Sequence, residues 1–303
     1  YIVGRTGTGK SNLIKNLALQ DMRAGHGVCV IDPHGDLIDD LLTRIPPERA
    51  RDVILFDPGD EVRPIGLNLL EHRDETEKHL IVNEFLAMLM RMYDRNQIGI
   101  VGPRFQHNVR NAMLTAMSAE GSTLIEVVRV LSDRGFVRKL LPGVKDPLVR
   151  SYWVDQIDQT SDFHKSEVLD YIVSKFNPFV GDRRVRHIIG QRKTTINFRH
   201  VMDERKILLV NLCKGRIGAE NARFLGLLLV QRLLMTALSR ADMPEDRRPD
   251  FMLYVDEFQN FATSTFATIL SEGRKYGVAA TVANQYLTQL DGPIREAIFG
   301  NVG

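Results

Sequence analysis

The feature that most constrains this chain is the octapeptide GRTGTGKS at residues 4–11. It consists of a glycine, four further residues, and then Gly-Lys-Ser. An apolar tripeptide precedes it and a helical pattern over residues 12–24 follows it. A strand, a glycine-rich loop and a helix in this order are the setting of a phosphate-binding loop. A glycine-rich turn that binds nothing would not need that setting. The sequence therefore predicts that the chain binds a nucleoside triphosphate.

The residue types in this loop each have a chemical reason. Its glycines allow the backbone to curl so that N–H groups point inward at an anion, and the helix that follows adds the positive end of its dipole. Lys10 supplies a mobile cation for the outer phosphates, and the hydroxyl of Ser11 is suited to ligate Mg²⁺. The predicted nucleotide-binding residues are Gly4, Arg5, Thr6, Gly7, Thr8, Gly9, Lys10, Ser11 and Asn12.

Composition narrows the class of protein. The chain has 303 residues, of which 44% are hydrophobic and 26% charged, as in a soluble globular protein of one large domain or two ordinary ones. No run of eighteen apolar residues occurs, so no membrane span is expected. Cys29 and Cys213 lie in apolar runs, which predicts reduced core thiols in a cytosolic compartment. Because the chain opens inside a strand, we interpret it as a piece of a longer protein.

Alternating strand and helix patterns predict an α/β fold. Apolar runs predict strands at 27–32, 51–57, 206–212, 250–256 and 279–283, and helical periodicity predicts helices at 12–24, 37–44 and 219–238. Strands that alternate with helices indicate βαβ units around a mostly parallel sheet. The expected architecture is therefore a nucleotide-binding core made of residues 1–74 and 194–303.

Residues 75–193 are predicted to form an inserted all-helical domain. Helical patterns cover 79–92, 104–119, 122–131 with Ser122 as the cap, and 163–176; the next strand is predicted at 195–198. Residues 75–200 also carry an excess of about five basic side chains. That excess fits either a solvated helical surface or a polyanionic partner. A basic cluster near the end of the insertion leaves the same two interpretations open; it contains Arg183, Arg184, Arg186, Arg192 and Lys193.

A second chemical element is FMLYVDEF at residues 251–258. A buried strand that ends in two acids delivers both carboxylates to the edge of a parallel sheet where ligands bind. Asp256 is predicted to hold Mg²⁺ opposite Ser11. Glu257 is predicted to orient and deprotonate the attacking water. An acid pair after a strand is weak evidence alone, but it becomes strong beside the loop at residues 4–11.

Two further residues are candidates for catalysis. Gln285 follows the strand predicted at 279–283 and is positioned to sense the terminal phosphate. Arg274 lies between a helix and that strand, and it is a candidate arginine finger for the nucleotide of a neighbouring subunit. For Arg274 an ordinary surface cation is the alternative interpretation.

These motifs, with others in the same order, resemble one family. VIDPHGDL occurs at residues 30–37, ILFDPGD at 54–60, IGLNLLE at 65–71 and LYVDEFQNF at 253–261. Over residues 1–74 and 194–303 the chain resembles the ATPase domain of type IV secretion coupling proteins. These are the conjugative DNA-transfer ATPases of the TraD/TraG type, within the HerA/FtsK class of P-loop ATPases. The insertion matches only in its place and its helical character.

The resemblance implies a RecA-like core that binds ATP and Mg²⁺ and works in a ring, usually a homo-hexamer. It implies ATP-driven movement of DNA, most simply single-stranded with a bound relaxase, toward secretion-channel proteins. The expected location is the cytoplasmic face of the cell membrane, with any membrane contact made by segments outside this chain. Lys10 and Ser11 match the Walker A pair, Asp256 and Glu257 the Walker B pair, Gln285 the sensor and Arg274 the finger.

Alternatives remain open at this stage. One is a HerA-like DNA translocase that works with a nuclease at DNA ends, and another is a nucleotide-gated module that docks protein substrates. The sequence leaves open the direction of movement, the strandedness of the DNA and the partner of the insertion. For Asp32 a place near the Mg²⁺ site and a turn that starts a helix are both compatible with the pattern, and His34 has no assigned role.

Overall fold

The computed structural model describes residues 1–96, 98–159 and 162–301. The strands are β1 (Ile2–Val3), β2 (Gly27–Asp32), β3 (Val53–Phe56), β4 (Ile207–Asn211), β5 (Phe251–Val255) and β6 (Val278–Asn284). The α-helices are α1 (Lys10–Arg23), α2 (Asp36–Leu42), α3 (Glu75–Tyr93), α4 (Pro103–Ala116), α5 (Leu124–Ser132), α6 (Arg134–Leu140), α7 (Pro147–Gln159), α8 (Asp162–Gly181), α9 (Arg183–Ile189), α10 (Phe198–Asp203), α11 (Lys214–Ile217), α12 (Ala219–Ser239), α13 (Ser264–Glu272) and α14 (Gly292–Asn301).

The chain divides into two compact units. The first contains residues 1–63 and 196–303 and holds all six strands described above; the second, residues 64–195, contains α3 to α9. The assignment of domains at 1–74, 75–193 and 194–303 remains a prediction from the sequence.

One sheet organises the first unit. Its strand order is β1-β6-β5-β2-β4-β3, and every neighbouring pair is parallel. The register pairs Asp32 with Asn211, and Ile31 with Val255. The carboxyl ends of the strands therefore lie along one edge, where ligands bind in sheets of this kind. The predicted α/β class with a mostly parallel sheet is confirmed.

Burial explains why these segments form strands and why α1 covers them. Every residue of β2 and β4 is buried, as expected for parallel strands with helices on both faces. Helix α1 buries Ile14, Ala18 and Met22, which are spaced four residues apart on one face. These side chains share an apolar cluster with β2 and β4.

Helix α12, with 21 residues, is the longest helix described in the first unit. By length and composition alone residues 219–242 could cross a bilayer, but 72% of that apolar window is buried inside the protein. Gly226 sits where α12 approaches Phe261 closely, since a Cβ atom added there would lie 2.2 Å from the Phe261 ring. The helix is therefore a packed core element in this structure.

In the second unit, side-chain caps fix the helix starts. Asp74 accepts a hydrogen bond of 2.8 Å from the Glu77 amide at the start of α3. At α5 a capping box joins Thr123 and Glu126, whose carboxylate accepts from the Thr123 amide at 2.7 Å. The prediction of Ser122 as the cap was wrong by one residue, because the threonine has the matching glutamate three positions later.

The strand predicted at 195–198 was also wrong. Asn197 accepts a hydrogen bond of 3.0 Å from the His200 amide and caps α10, which begins at Phe198. The alternation of apolar Ile196 and Phe198, both buried, imitates a strand. Both cysteines are buried free thiols, as predicted. Burial raises the pKa of Cys29 and, with help from the nearby Asp57 charge, raises the pKa of Cys213 to about 12.

Candidate active site

The glycine-rich loop leaves the end of β1 and closes on itself. Gly7 and Gly9 have φ angles of +83° and +91°, a left-handed region that disfavours any side chain. The Thr8 hydroxyl donates to the Arg5 carbonyl at 2.8 Å. A Cβ atom on Gly4 would lie 2.7 Å from that hydroxyl oxygen, so the loop has no room for a larger residue there.

Lys10 is the first residue of α1 and lies over the same loop. Its Nζ donates to the Arg5 carbonyl at 3.2 Å, and its side chain is half-buried. The ammonium group therefore sits at the mouth of the curled backbone and is held there by one hydrogen bond to a neutral acceptor. A charged lysine so placed suits the outer phosphates of a nucleotide.

The loop and the acid pair meet at the carboxyl edge of the sheet. The Ser11 hydroxyl donates to Asp256 Oδ2 at 2.7 Å, although 245 residues separate the two in sequence. Asp256 is buried, and its other oxygen accepts from the Glu257 amide at 2.9 Å. The two predicted Mg²⁺ ligands are thus adjacent.

Glu257 is held by two glutamine amides. Gln285 Nε2 donates to Glu257 Oε1 at 3.0 Å, and Gln259 Nε2 donates to Glu257 Oε2 at 2.5 Å. Gln285 comes from the end of β6, which lies between β1 and β5. Glu257 itself has φ +47° and ψ +47°, a left-handed conformation that costs a residue with a Cβ atom about 1 kcal/mol or more. The site therefore holds this carboxylate in an unfavourable backbone conformation.

Gln259 is a site residue that the sequence reasoning missed. Its Oε1 atom is buried and has no hydrogen-bond partner among the residues that the structure describes. A buried acceptor of this kind requires a donor, because leaving it unsatisfied costs about 1–3 kcal/mol. The only sequence signal was its place two residues after the acid pair, within LYVDEFQNF.

Asp32 fits both interpretations that the sequence left open, a turn that starts a helix and a place near the predicted Mg²⁺ site. Its carboxylate accepts hydrogen bonds from the amides of His34, Gly35 and Leu37 at 2.8–2.9 Å, and so starts α2. Burial raises the pKa of Asp32, although the three hydrogen bonds act to lower it. The charge of Asp256, which follows the neighbouring strand β5, raises the pKa further. Asp32 therefore lies beside the carboxylate predicted to bind Mg²⁺.

Arg274 does not join this site within the chain. It lies in a 3-10 turn, Gly273–Tyr276, just before β6 begins. Gln285 follows the other end of that seven-residue strand, about 20 Å away at the usual rise per residue. Arg274 instead lines a separate cavity of about 340 Å³ together with Asp250, Ile269 and Gly277.

The residues present fit a nucleotide with Mg²⁺. Among the described residues, no group of three or more histidine, cysteine, aspartate or glutamate side chains forms a metal cage. Mg²⁺ is commonly held by one or two protein oxygens, with the remaining positions taken by phosphates and water. A hydroxyl beside one carboxylate, at the mouth of an amide-lined loop, matches that ligand set.

Together these features define a class of protein. A parallel sheet with a glycine-rich loop after one strand, and an acid pair after another, is the fold of a P-loop nucleoside triphosphatase. Residues 1–133 match the family model described as the central domain of the helicase HerA. The resemblance to coupling ATPases within the HerA/FtsK class is confirmed.

Solved structures share this fold. One is the unbound monoclinic form of the bacterial conjugative coupling protein TrwBΔN70, with 19% identity, a TM-score of 0.67 and coverage of 99% of this chain and 66% of that one. Another is TrwB in complex with the ATP analogue ADPNP, with 18% identity, a TM-score of 0.70 and coverage of 99% and 67%. VirB4 of Thermoanaerobacter pseudethanolicus is 15% identical, with a TM-score of 0.64 and coverage of 98% and 72%.

The chain spans about two thirds of the length of the TrwB structures that it matches. No protein with a curated description matches its sequence.

Proposed function

We propose that the chain is the motor domain of an ATPase that moves DNA, or a DNA–protein complex, as the coupling ATPase of a conjugative type IV secretion system. The observation that carries this proposal is the junction of two distant motifs. Ser11 contacts Asp256 at 2.7 Å, and the adjacent Glu257 contacts Gln285 at 3.0 Å. The residues proposed as phosphate loop, metal ligand, base and sensor therefore lie together at one sheet edge, which supports these roles.

Each residue has a role that its position supports. Lys10 and the loop amides bind the phosphates, while Ser11 and Asp256 hold Mg²⁺, which neutralises phosphate charge when it is bound. Glu257 accepts a proton from the attacking water. Gln285 fixes the orientation of Glu257 through its amide and senses whether the terminal phosphate is present.

Arg274 acts in trans in this proposal. Its separation from Gln285 along β6 places it away from the site of its own chain, which supports action on the nucleotide of a neighbouring subunit. Such an arrangement requires a ring, which we propose to be a homo-hexamer. The likeness to TrwB, a conjugative coupling protein, supports a role in conjugation. Within that role we propose single-stranded DNA with a bound relaxase as the substrate, and secretion-channel proteins as partners at the cytoplasmic face of the membrane.

The test is DNA-stimulated ATP hydrolysis by the assembled protein. We expect hydrolysis that rises when DNA is added, and its loss in Lys10→Ala. Absence of hydrolysis in the assembled wild-type protein with DNA and Mg²⁺ would refute the proposal. A matched control is Lys15→Ala, because Lys15 lies on the same helix and forms an ion pair with Asp40 at 2.5 Å, outside the loop.

A second function has one specific observation in its favour. Residues 1–133 match the model of the HerA central domain, which supports a HerA-like DNA translocase. In this alternative the translocase works with a nuclease at DNA ends. Movement along blunt double-stranded DNA, with no preference for a relaxase-bound single strand, would favour this alternative. A nucleotide-gated docking module would instead show substrate binding and transport that Glu257→Gln leaves unchanged.

A further inference from the structure

Exposed basic side chains that have no acidic partner among the described residues lie on helix α9 and in the loop that follows it, in the second unit. Helix α9 has two opposite faces: Val185, Ile188 and Ile189 are buried, while the other face is exposed and basic. The spacing of three and four residues places its exposed cations on one side of the helix. The row continues into the loop that follows. We call it the basic track, and its residues are Arg183, Arg186, His187, Arg192 and Lys193.

The cations of the track are not neutralised within the described part of the chain. No ion pair of Arg183, Arg192 or Lys193 with a carboxylate occurs there, and Arg186 donates only to the backbone carbonyls of Val180 and Gly181. Surface cations of ordinary solvated helices are commonly paired at i,i+4, as Arg129 and Asp133 are in α5 of this unit. The track is therefore a local concentration of uncompensated positive charge.

The loop that carries the end of the track is held rigidly. Asn68, which is fully buried, donates to the carbonyl of Arg192 at 2.8 Å and to that of Ser122 at 3.0 Å. Gln191 donates to the carbonyls of His187 and Pro64. Cations on a fixed backbone lose less conformational entropy when they bind, so the track is organised before its ligand arrives.

A cavity of about 700 Å³ borders the end of the track. Arg192 and Lys193 line it, together with His72, Glu71 and Glu120. One oxygen of Glu71 accepts from the Thr194 amide at 3.0 Å. The cavity that Arg192 and Lys193 line is of mixed charge, whereas the exposed face of α9 is basic. The α9 face therefore carries the inference, and the two loop cations extend it.

We propose that the basic track binds the phosphate backbone of the nucleic acid that the motor moves. Guanidinium and ammonium groups without interleaved aromatic side chains make sequence-independent phosphate contacts. An anionic membrane is disfavoured, because none of the large exposed apolar side chains lies within residues 180–195 and a surface helix needs such groups to enter a bilayer. This inference rests on the proposed function for the identity of the polymer.

The test is the salt dependence of DNA binding by the full assembled protein with a non-hydrolysable ATP analogue. The variant replaces Arg183, Arg186 and Lys193 with glutamine. For single strands each phosphate contact contributes about 0.7 to the slope of log affinity against log salt. We therefore expect the slope to fall by about 2 and the affinity at 0.1 M salt to fall by about 100-fold.

The matched control removes three exposed cations of the same unit outside the track. It replaces Arg138, Lys139 and Lys145 with glutamine, so that net charge changes equally. We expect the control to keep the wild-type slope. Both variants are checked for folding by their unfolding temperatures, and a destabilised triple variant is replaced by Lys193→Gln alone, for which the expected fall in slope is about 0.7.

Three outcomes overturn the assignment: a wild-type slope in the track variant, an equal loss in the control, or binding to anionic vesicles in place of DNA. The failure of the proposed function looks different. In that case wild-type protein hydrolyses no ATP with DNA, whether or not the track binds the polymer.

Discussion

The hydrogen bond between Gln285 and Glu257 gives the sharpest quantitative prediction. Gln285→Leu removes the amide that donates to Glu257 Oε1 at 3.0 Å and keeps a side chain of similar size. Glu257→Gln removes the base itself. If Gln285 acts by fixing the base, the two substitutions must not be independent. Their effects are best measured in a double-mutant cycle.

The expected size follows from the charge of the acceptor. Hydrogen bonds to charged groups contribute about 1.5–3 kcal/mol, and about 1.4 kcal/mol corresponds to a tenfold change in rate. Gln285→Leu should therefore lower the single-turnover rate of ATP hydrolysis by roughly 10- to 150-fold. Glu257→Gln should lower it by roughly 10²- to 10⁴-fold, the range for general-base catalysis.

The double variant decides the matter. Once the base is absent, loss of Gln285 should lower the rate of hydrolysis little further. The double variant should therefore hydrolyse ATP at nearly the rate of the Glu257→Gln variant. The affinity for a fluorescent ATP analogue should stay within a few-fold of wild type in the two single variants and in the double variant. The control is Gln20→Leu, a change of the same kind on the exposed face of α1. Rates that multiply independently would refute the idea that Gln285 works through Glu257.

Further predictions concern the interface, the core and the thiols. We expect Arg274→Ala to lower the rate of ATP hydrolysis about 10³-fold or more and the control Lys275→Ala not to lower it. Adding a chain that carries Lys10→Ala and an intact Arg274 should restore hydrolysis by the Arg274→Ala chain. A lack of rescue would contradict action in trans. Arg240 is fully buried, and its guanidinium lies 3.1 Å from the Asp203 carboxylate. Replacing Arg240 with Leu should lower the free energy of unfolding, measured in urea, by about 3 kcal/mol. A change below about 1 kcal/mol would contradict this. Folding raises the pKa of the Cys213 thiol from 9.0 to about 12. The protonated thiol therefore contributes fully to the free energy of unfolding below pH 9, and this contribution is lost as pH rises toward 12. At pH 8 a thiol reagent should label Cys213 only when the protein unfolds.

Residue patterns were sufficient for the six strands of the first unit, because several local signals agreed there, although they also predicted a false strand at 195–198. The strands are short apolar runs with all residues buried in β2 and β4, and the loop at residues 4–11 has one structural setting. Helix α12 was predicted within a residue or two of its ends, since apolar residues recur on every turn from Ala219 to Leu238.

The second unit was less predictable because caps and turns decide its boundaries. The sequence did not separate α6, α7 or α9 as elements, and it ended the helix of α8 at Phe176 although that helix continues past Pro178 to Gly181. A proline usually ends a helix, so local rules place the boundary too early. Packing within the unit outweighs that cost.

The site residues could be predicted from the sequence only where they belong to a known sequence motif. Lys10, Ser11 and Asp256 belong to a pattern, whereas Gln259 became visible only when its amide was found against Glu257. The left-handed backbone at Glu257 likewise has no signature in the sequence, because it follows from the contacts that hold the carboxylate.

The seven residues of β6 have a consequence for how a ring of these chains would work. The strand pairs with β5 over five residues and with β1 over its last two, so the sheet restrains it. In the proposed ring, Gln285 would read one bound nucleotide at its far end, and Arg274, just before its near end, would touch the next. Loss of a phosphate in one subunit would thus be relayed mechanically to its neighbour, and firing around the ring would follow an order.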